Sequence, residues 1–242
     1  TSFFEQDHGI LSTTRIVRQV TKPEVSENLS YALNYASDRF AITSSYNFNR
    51  IKNMAMLDSG AQDAQGKPIT LFTSAKRPVT VQGVDVNLTW QATAALALSA
   101  GGELYHYKFD PGTLVFARPK TRLFASVDYE QGPWALNAKL NVTGPMNLRK
   151  FHDDGSGQQG RYNFDGTPKR DKSPTFATVD VRGQYSITPN ISLYLGVDNL
   201  FDYKQAEREN FLWVNGEGGI DVTHLWGPNR GRYIYAGVKF DF

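Results

Sequence analysis

The chain closes on a two-faced strand. From Tyr233 to Phe242, Ile234, Ala236, Val238, Phe240 and Phe242 fall on one side of an extended backbone, and Tyr233, Tyr235, Gly237, Lys239 and Asp241 on the other. A period-two segment of about ten residues, apolar on one face and polar on the other, suits a strand that meets lipid outward and water inward. It also suits an amphipathic strand closing a soluble sandwich, because period two says only that one face is apolar. The choice rests on how the pattern recurs.

It recurs as hairpins. Leu29, Tyr31, Leu33 and Tyr35 alternate with polar or small residues, Ser37-Asp38-Arg39 turns the chain, and Phe40, Ile42, Ser44, Tyr46 and Phe48 return it. Val84, Val86, Leu88 and Trp90 lead through Gln91-Ala92-Thr93 into Leu96, Leu98, Ala100 and Leu104. Leu123, Ala125, Val127 and Tyr129 lead through Gly132-Pro133 into Trp134, Leu136, Ala138, Leu140 and Val142. Ala177, Val179, Val181, Tyr185 and Ile187 lead through Thr188-Pro189-Asn190 into Ile191, Leu193, Leu195 and Val197. With the final strand the total is about nine.

Long polar connections separate these hairpins, at residues 53–78, 110–121, 145–174 and 202–232. Structureless links of that length are uncommon in compact soluble domains. Strict alternation of short and long links is the pattern of outer-membrane barrels, whose periplasmic turns are short and extracellular loops long. Asp85, Asp128, Lys139, Asp180, Arg182, Asp198, Lys239 and Asp241 all fall on the polar phase, where a hydrated lumen would receive them, and strand interiors carry no charge on the apolar phase. Tyr129 and Trp134 flank a short turn, the place of an interfacial aromatic girdle. The expected fold is therefore all-β, an antiparallel transmembrane barrel. Because bacterial single-chain barrels have even strand numbers, and an open sheet would leave unpaired backbone in lipid, about nine strands need a partner segment.

Composition removes other classes. No apolar run approaches the roughly 18 residues of a membrane helix, and mean hydropathy is -0.44. Aromatic residues make up 13% of the 242, which suits girdles and strands. The absence of cysteine excludes disulfides, CxxC redox sites and thiolate zinc sites. A net charge of +2 implies no nucleic-acid partner. The sequence opens at Thr1 without an initiator Met or signal-peptide core, as expected of a mature protein or a piece of one.

Several segments in order carry a family likeness. YAGVKFDF, Tyr235 to Phe242, resembles the C-terminal assembly signal of outer-membrane barrels, with Tyr235, Gly237, Phe240 and Phe242 as its marks. GVDNLFDYKQ, Gly196 to Gln205, and GPNRGRYIYAGVKFDF, Gly227 to Phe242, resemble the end of TonB-dependent outer-membrane receptors. PEVSENLSYALNY, FNRIKNM, VQGVDVNLTW and YEQGPWALNAKLNVTGPM, between Pro23 and Met146, resemble successive barrel segments of that family. The resemblance implies that residues 1–242 are the last nine or so strands of a 22-stranded barrel, with the plug, the TonB-contact segment and the earlier strands outside this sequence. It also implies an importer in the outer membrane, for a ferric siderophore or another scarce metal complex. Its partners would be TonB, acting through the plug, the rest of the barrel, the barrel-assembly machinery, and membrane lipid with lipopolysaccharide. It implies no catalysis and no bound cofactor. A passive porin or structural barrel, and an outer-membrane hydrolase, are the alternatives.

Candidate chemistry is sparse. Gly155, Gly157 and Gly160 spell GxGxxG, but no buried strand precedes them and no amphipathic helix follows, so a loop is expected. The Asn-x-Ser/Thr sequons at Asn28, Asn87, Asn141 and Asn190 fit lumen or turn positions. His8, His106, His152 and His224 lie in different segments, and no HExxH, GxSxG or P-loop occurs. Met54 and Met56 would suit a soft metal but fit a wall better, and no metal site is assigned. The ligand candidates are basic and aromatic groups of the last two long connections: Arg149, Lys150, His152, Arg161, Tyr162, Trp213, His224 and Trp226. Such groups hold planar anions by charge-assisted hydrogen bonds and cation–π contact, although Asp153, Asp154, Asp165 and Asp171 offset much of the charge.

Overall fold

A computed structural model describes residues 15–20, 22–109, 118–149, 163, 167–211, 213–214, 220–221 and 225–241. β1 (Arg15–Arg18) precedes a hairpin of β2 (Val25–Ala36) and β3 (Phe40–Lys52). β4 (Ala55–Gln62) and β5 (Pro68–Ser74) form the next. β6 (Val79–Gln91) pairs with β7 (Leu96–Lys108), β8 (Thr121–Gln131) with β9 (Trp134–Thr143), and β10 (Phe176–Thr188) with β11 (Ile191–Asp198). A 3-10 turn at Gln205–Glu207, the short strands β12 (Trp213–Val214) and β13 (Ile220–Asp221), and β14 (Tyr233–Phe240) complete the order.

Nine strands make one antiparallel meander, in the order β14-β11-β10-β9-β8-β7-β6-β3-β2. Among the described residues β2 and β14 each have one unpaired edge, so the sheet is an open part of a barrel. All four expected hairpins and the final strand are present; in the second, Gln91 ends β6 and the turn runs over 92–95.

The register keeps one chemistry on each face. A single row of direct pairs runs Tyr35, Ile42, Leu88, Ala100, Ala125, Leu140 and Val179 across seven strands. Leu193 opposite Val238 and Leu195 opposite Ala236 carry the apolar side to β14. These side chains are largely open, with Leu33 as much as 78% exposed, because their solvent is meant to be lipid. The other face is hydrogen-bonded. Asn137 Nδ2 donates to Asp128 Oδ1 at 2.6 Å, Ser45 Oγ donates to Asp85, and Thr89 and Ser99 pair at 3.1 Å. Asp85, Asp128, Lys139, Asp180 and Arg182 all lie on this side, as expected. At the short-turn rim Phe40 stacks on Trp90 (5.9 Å, 7°) and Trp134 packs on Tyr185 (4.7 Å), forming the lower aromatic girdle.

Close backbone approach explains two glycines. Gly196 pairs with Tyr235, Tyr194 pairs with Gly237, and each tyrosine ring lies over the glycine opposite it. A Cβ at Gly237 would sit 2.5 Å from Tyr194 Cζ.

Two expectations change. Residues 53–78 are not a structureless link. They fold as β4 and β5, and β1 adds to β5 in parallel, giving a three-stranded sheet at the long-connection rim. The turn between β4 and β5 is set by Asp63, whose Oδ1 accepts the Gln65 and Lys67 amides at 2.9 Å each, and by Gly66 at φ 75°. Met54 lies just before β4 and Met56 within it. Second, the apolar phase does carry charge at its upper end: register places Glu27, Arg50, Lys52 and Lys108 there. β2 at 12 residues, and β3 and β7 at 13 each, outrun the 9–11 needed to span a bilayer, so these groups emerge into water.

Candidate functional site at the long-connection rim

Among the described residues most of the buried side chains, Ile69, Ala75, Val79 and Ser192 excepted, gather where the last two long connections meet. Their foundation is the segment Asn199-Leu200-Phe201-Asp202. Asn199 and Asp202 both have positive φ (51° and 57°), a region these two residue types tolerate, and the Asp202 amide donates to the Asn199 carbonyl at 2.8 Å. The Asn199 amide donates to Asp180 Oδ1 (2.8 Å), while its side chain donates to the carbonyls of Tyr203 (2.8 Å) and Arg230 (3.2 Å). One asparagine therefore joins the top of β11 to both ends of the connection. Phe201 is 70% exposed beside this turn, an apolar anchor at interfacial depth.

The next layer is buried and polar. Gln205 has no exposed surface, and its Oε1 accepts the amides of Trp226 (2.7 Å) and Gly227 (2.8 Å). Glu209 is likewise buried. Its Oε2 accepts the Trp226 indole N–H (2.9 Å), and its Oε1 accepts the Arg170 amide (2.7 Å). Trp226 packs with Met146 and Leu148 against Phe176, which stacks on Tyr203 at 5.1 Å. Residues 145–174 and 199–232 are thus fastened to each other and to the wall.

Electrostatics reinforce the same turn. The Arg232 backbone N–H, then Lys204, hold the Asp202 carboxyl below the usual carboxylate range. Glu207 and then Asp202 push Lys204 up, at 2.9 and 3.1 Å. Burial raises the Tyr203 phenol.

The ligand candidates divide accordingly. Arg149 is exposed and pairs with Asp171 at 3.3 Å, above a bridge between Asn147 and Lys172 that closes the base of its connection. Trp226 is 6% exposed with its N–H engaged, so it is a packing residue and not a mouth-facing one; burial against Phe176 is the correction to its expected place. Trp213 lies in β12, paired with Asp221, and its side chain is outside the described residues. Lys150, His152, Arg161, Tyr162 and His224 lie outside the described residues, as do the GxGxxG segment and Phe242. Tyr235, Gly237 and Phe240 stand on β14, the edge strand. Among the described residues no three His, Asp or Glu side chains gather as a metal site. No local sequence pattern marks Gln205 and Glu209 for burial; for Asn199 the Asn and Asp of NLFD, which tolerate left-handed backbone, are the available signal.

A two-faced open meander with aromatic girdles and elaborated connections on one rim is the wall of an outer-membrane β-barrel. The family description "TonB dependent receptor-like, beta-barrel" matches residues 11–200, and the chain belongs to that family, whose members are outer-membrane receptors and transporters. It is 24% identical over 230 residues to a ferric enterobactin receptor of Pseudomonas aeruginosa, covering 90% of this chain and 30% of that protein. In fold it is similar to the copper transporter OprC (TM-score 0.62, 22% identity, 93% of this chain and 32% of that one). It is also similar to the FrpB iron transporter from Neisseria meningitidis (TM-score 0.65, 18% identity, 95% and 33%). The chain spans about a third of the length of these relatives.

Proposed function

We propose that residues 1–242 form the C-terminal barrel wall and outer connections of a TonB-dependent importer of a ferric siderophore or another metal complex. The observation that carries this reading is the pairing of a membrane wall with two long connections fastened at its mouth by Asn199, Gln205 and Glu209. The relative named a ferric enterobactin receptor and the structural neighbour named an iron transporter support the cargo class. In this reading the free edges of β2 and β14 meet further strands of the same barrel, since each unpaired backbone group in lipid costs several kcal/mol. The plug lies inside, takes energy from TonB and releases the ligand inward, without covalent catalysis.

Arg149, Lys150, His152, Arg161, Tyr162, Trp213 and His224 remain the connection residues proposed to meet ligand. Tyr235, Gly237, Phe240 and Phe242 are proposed to engage the barrel-assembly machinery as the edge strand inserts, and the apolar face to meet lipid and lipopolysaccharide. Uptake of labelled ferric complexes in iron-starved cells, with and without the full-length gene, tests the reading. Loss of uptake for one complex on deletion is the expected result; unchanged uptake of siderophore, haem and free-metal forms overturns it.

A further inference from the structure

Above the apolar belt the chemistry of β7 inverts. Its outward positions there are His106 and Lys108, and its inward ones are Tyr105 and Tyr107, with Phe109 just beyond the strand. Hydration accounts for the outward pair. It does not account for three rings on the side that, lower down, carries Ser99, Gly101 and Glu103.

The rings form a short ladder. Tyr105 and Tyr107 lie 5.9 Å apart at 26°, and Tyr107 and Phe109 lie 6.1 Å apart at 11°. Tyr105 lies over Gly83, and Tyr107 Oη donates to the Pro119 carbonyl at 3.2 Å, so the lower rungs are fixed. Arg118 stands across the upper two, its guanidinium carbon 5.9 Å from the Tyr107 centroid and 5.7 Å from that of Phe109. It is exposed and has no carboxylate partner among the described residues. An exposed guanidinium oriented by two rings offers paired donors to an oxyanion beside a flat aromatic face.

We infer that Tyr107, Phe109 and Arg118 form a binding wall for a planar aromatic oxyanion on the inner side of the barrel mouth. The guanidinium pairs with the ligand's charged oxygens, and the two rings supply its stacking face. This site rests on the importer reading, which would make it the place where the wall selects flat anionic chelates.

The test uses the purified full-length receptor in detergent, with 2,3-dihydroxybenzoate as probe and cyclohexanecarboxylate as a non-planar anion of equal charge, both followed by ligand-observed NMR. The wild type is expected to prefer the aromatic probe by about tenfold. R118Q should weaken the aromatic probe about 10- to 100-fold, the range for a hydrogen bond to a charged group, and R118K should fall between. F109L should remove the preference while leaving cyclohexanecarboxylate binding in place. K120Q, which removes a neighbouring exposed cation outside this wall, should bind like the wild type; unchanged heat-dependent gel mobility of R118Q and F109L separates loss of the site from folding damage. Equal affinity for the two anions, or an unchanged aromatic affinity in R118Q, overturns the site. Preference for the aromatic probe in a receptor that mediates no uptake would overturn the importer reading and leave the site standing.

Discussion

Replacing Ala125 with arginine puts the two-faced wall under direct test. Ala125 stands on the apolar face of β8, four residues from Tyr129, the aromatic next to the short turn. Four residues span about 14 Å of strand, or about 10 Å of depth at a tilt of roughly 45°. An apolar band of about 25 Å therefore places Ala125 near the midplane, where an outward arginine costs about 2–4 kcal/mol. Ser99 is the control. It lies one row away on β7, faces the lumen and bonds Thr89 at 3.1 Å, so S99R should cost about one hydrogen bond, roughly 0.5–1.5 kcal/mol. The assay is equilibrium urea unfolding of the full-length receptor refolded into phospholipid vesicles. At about 1.4 kcal/mol per factor of ten, A125R should lower the folded-to-unfolded ratio between about 30-fold and several hundredfold. Equal losses for A125R and S99R would refute the assignment of faces. So would a loss below about 0.5 kcal/mol for A125R.

Three further outcomes follow from particular contacts. G237V should lower thermal stability by about 1–3 kcal/mol through the clash with Tyr194, and Y194S should recover most of it, as read by heat-dependent gel mobility of the folded barrel. E209A should orphan the Arg170 amide and the Trp226 indole N–H, at about 1–3 kcal/mol for each donor, and speed hydrogen exchange in residues 145–149 and 167–174 while β7 and β8 stay protected. The Asp202 carboxyl is depressed, so its contribution is present above the unfolded carboxylate pKa and lost as pH falls through the folded one; Lys204 is raised, so its share is present below the unfolded lysine pKa and lost as pH rises through the folded one. Protease nicking of residues 199–232 should therefore increase at both extremes, and D202N, which tolerates the left-handed backbone, should abolish the acid limb.

The wall was readable because its physics is local. Leu136, Ala138 and Leu140 against Asn137, Lys139 and Asn141 state both faces without help from any other strand, and Gly132-Pro133 marks the turn. β4 escaped because Asp58, Ser59, Gly60 and Gln62 give it no apolar alternation; its pairing with β5 depends on the Asp63 turn. The upper ends of β3 and β7 misled in another way. Period two continues past the bilayer, but the solvent on the outward side changes from lipid to water, so Arg50 and Lys108 follow the same geometry with opposite chemistry. The mouth was the least legible part. Gln205 and Glu209 sit in a polar stretch, and their burial follows from the return of Trp226 after 21 and 17 positions, which no local pattern encodes.

The parallel seam between β1 and β5 has a consequence for assembly. Parallel partners need a crossover, and here the crossover contains β2 and β3, a pair that must descend through the membrane and climb back. The seam can close only once that round trip is complete. It is a rivet set from outside after the plates are in place, and protection of the Gln19 amide, which donates to the Phe72 carbonyl, would time-stamp the arrival of the β2–β3 pair at the cell surface.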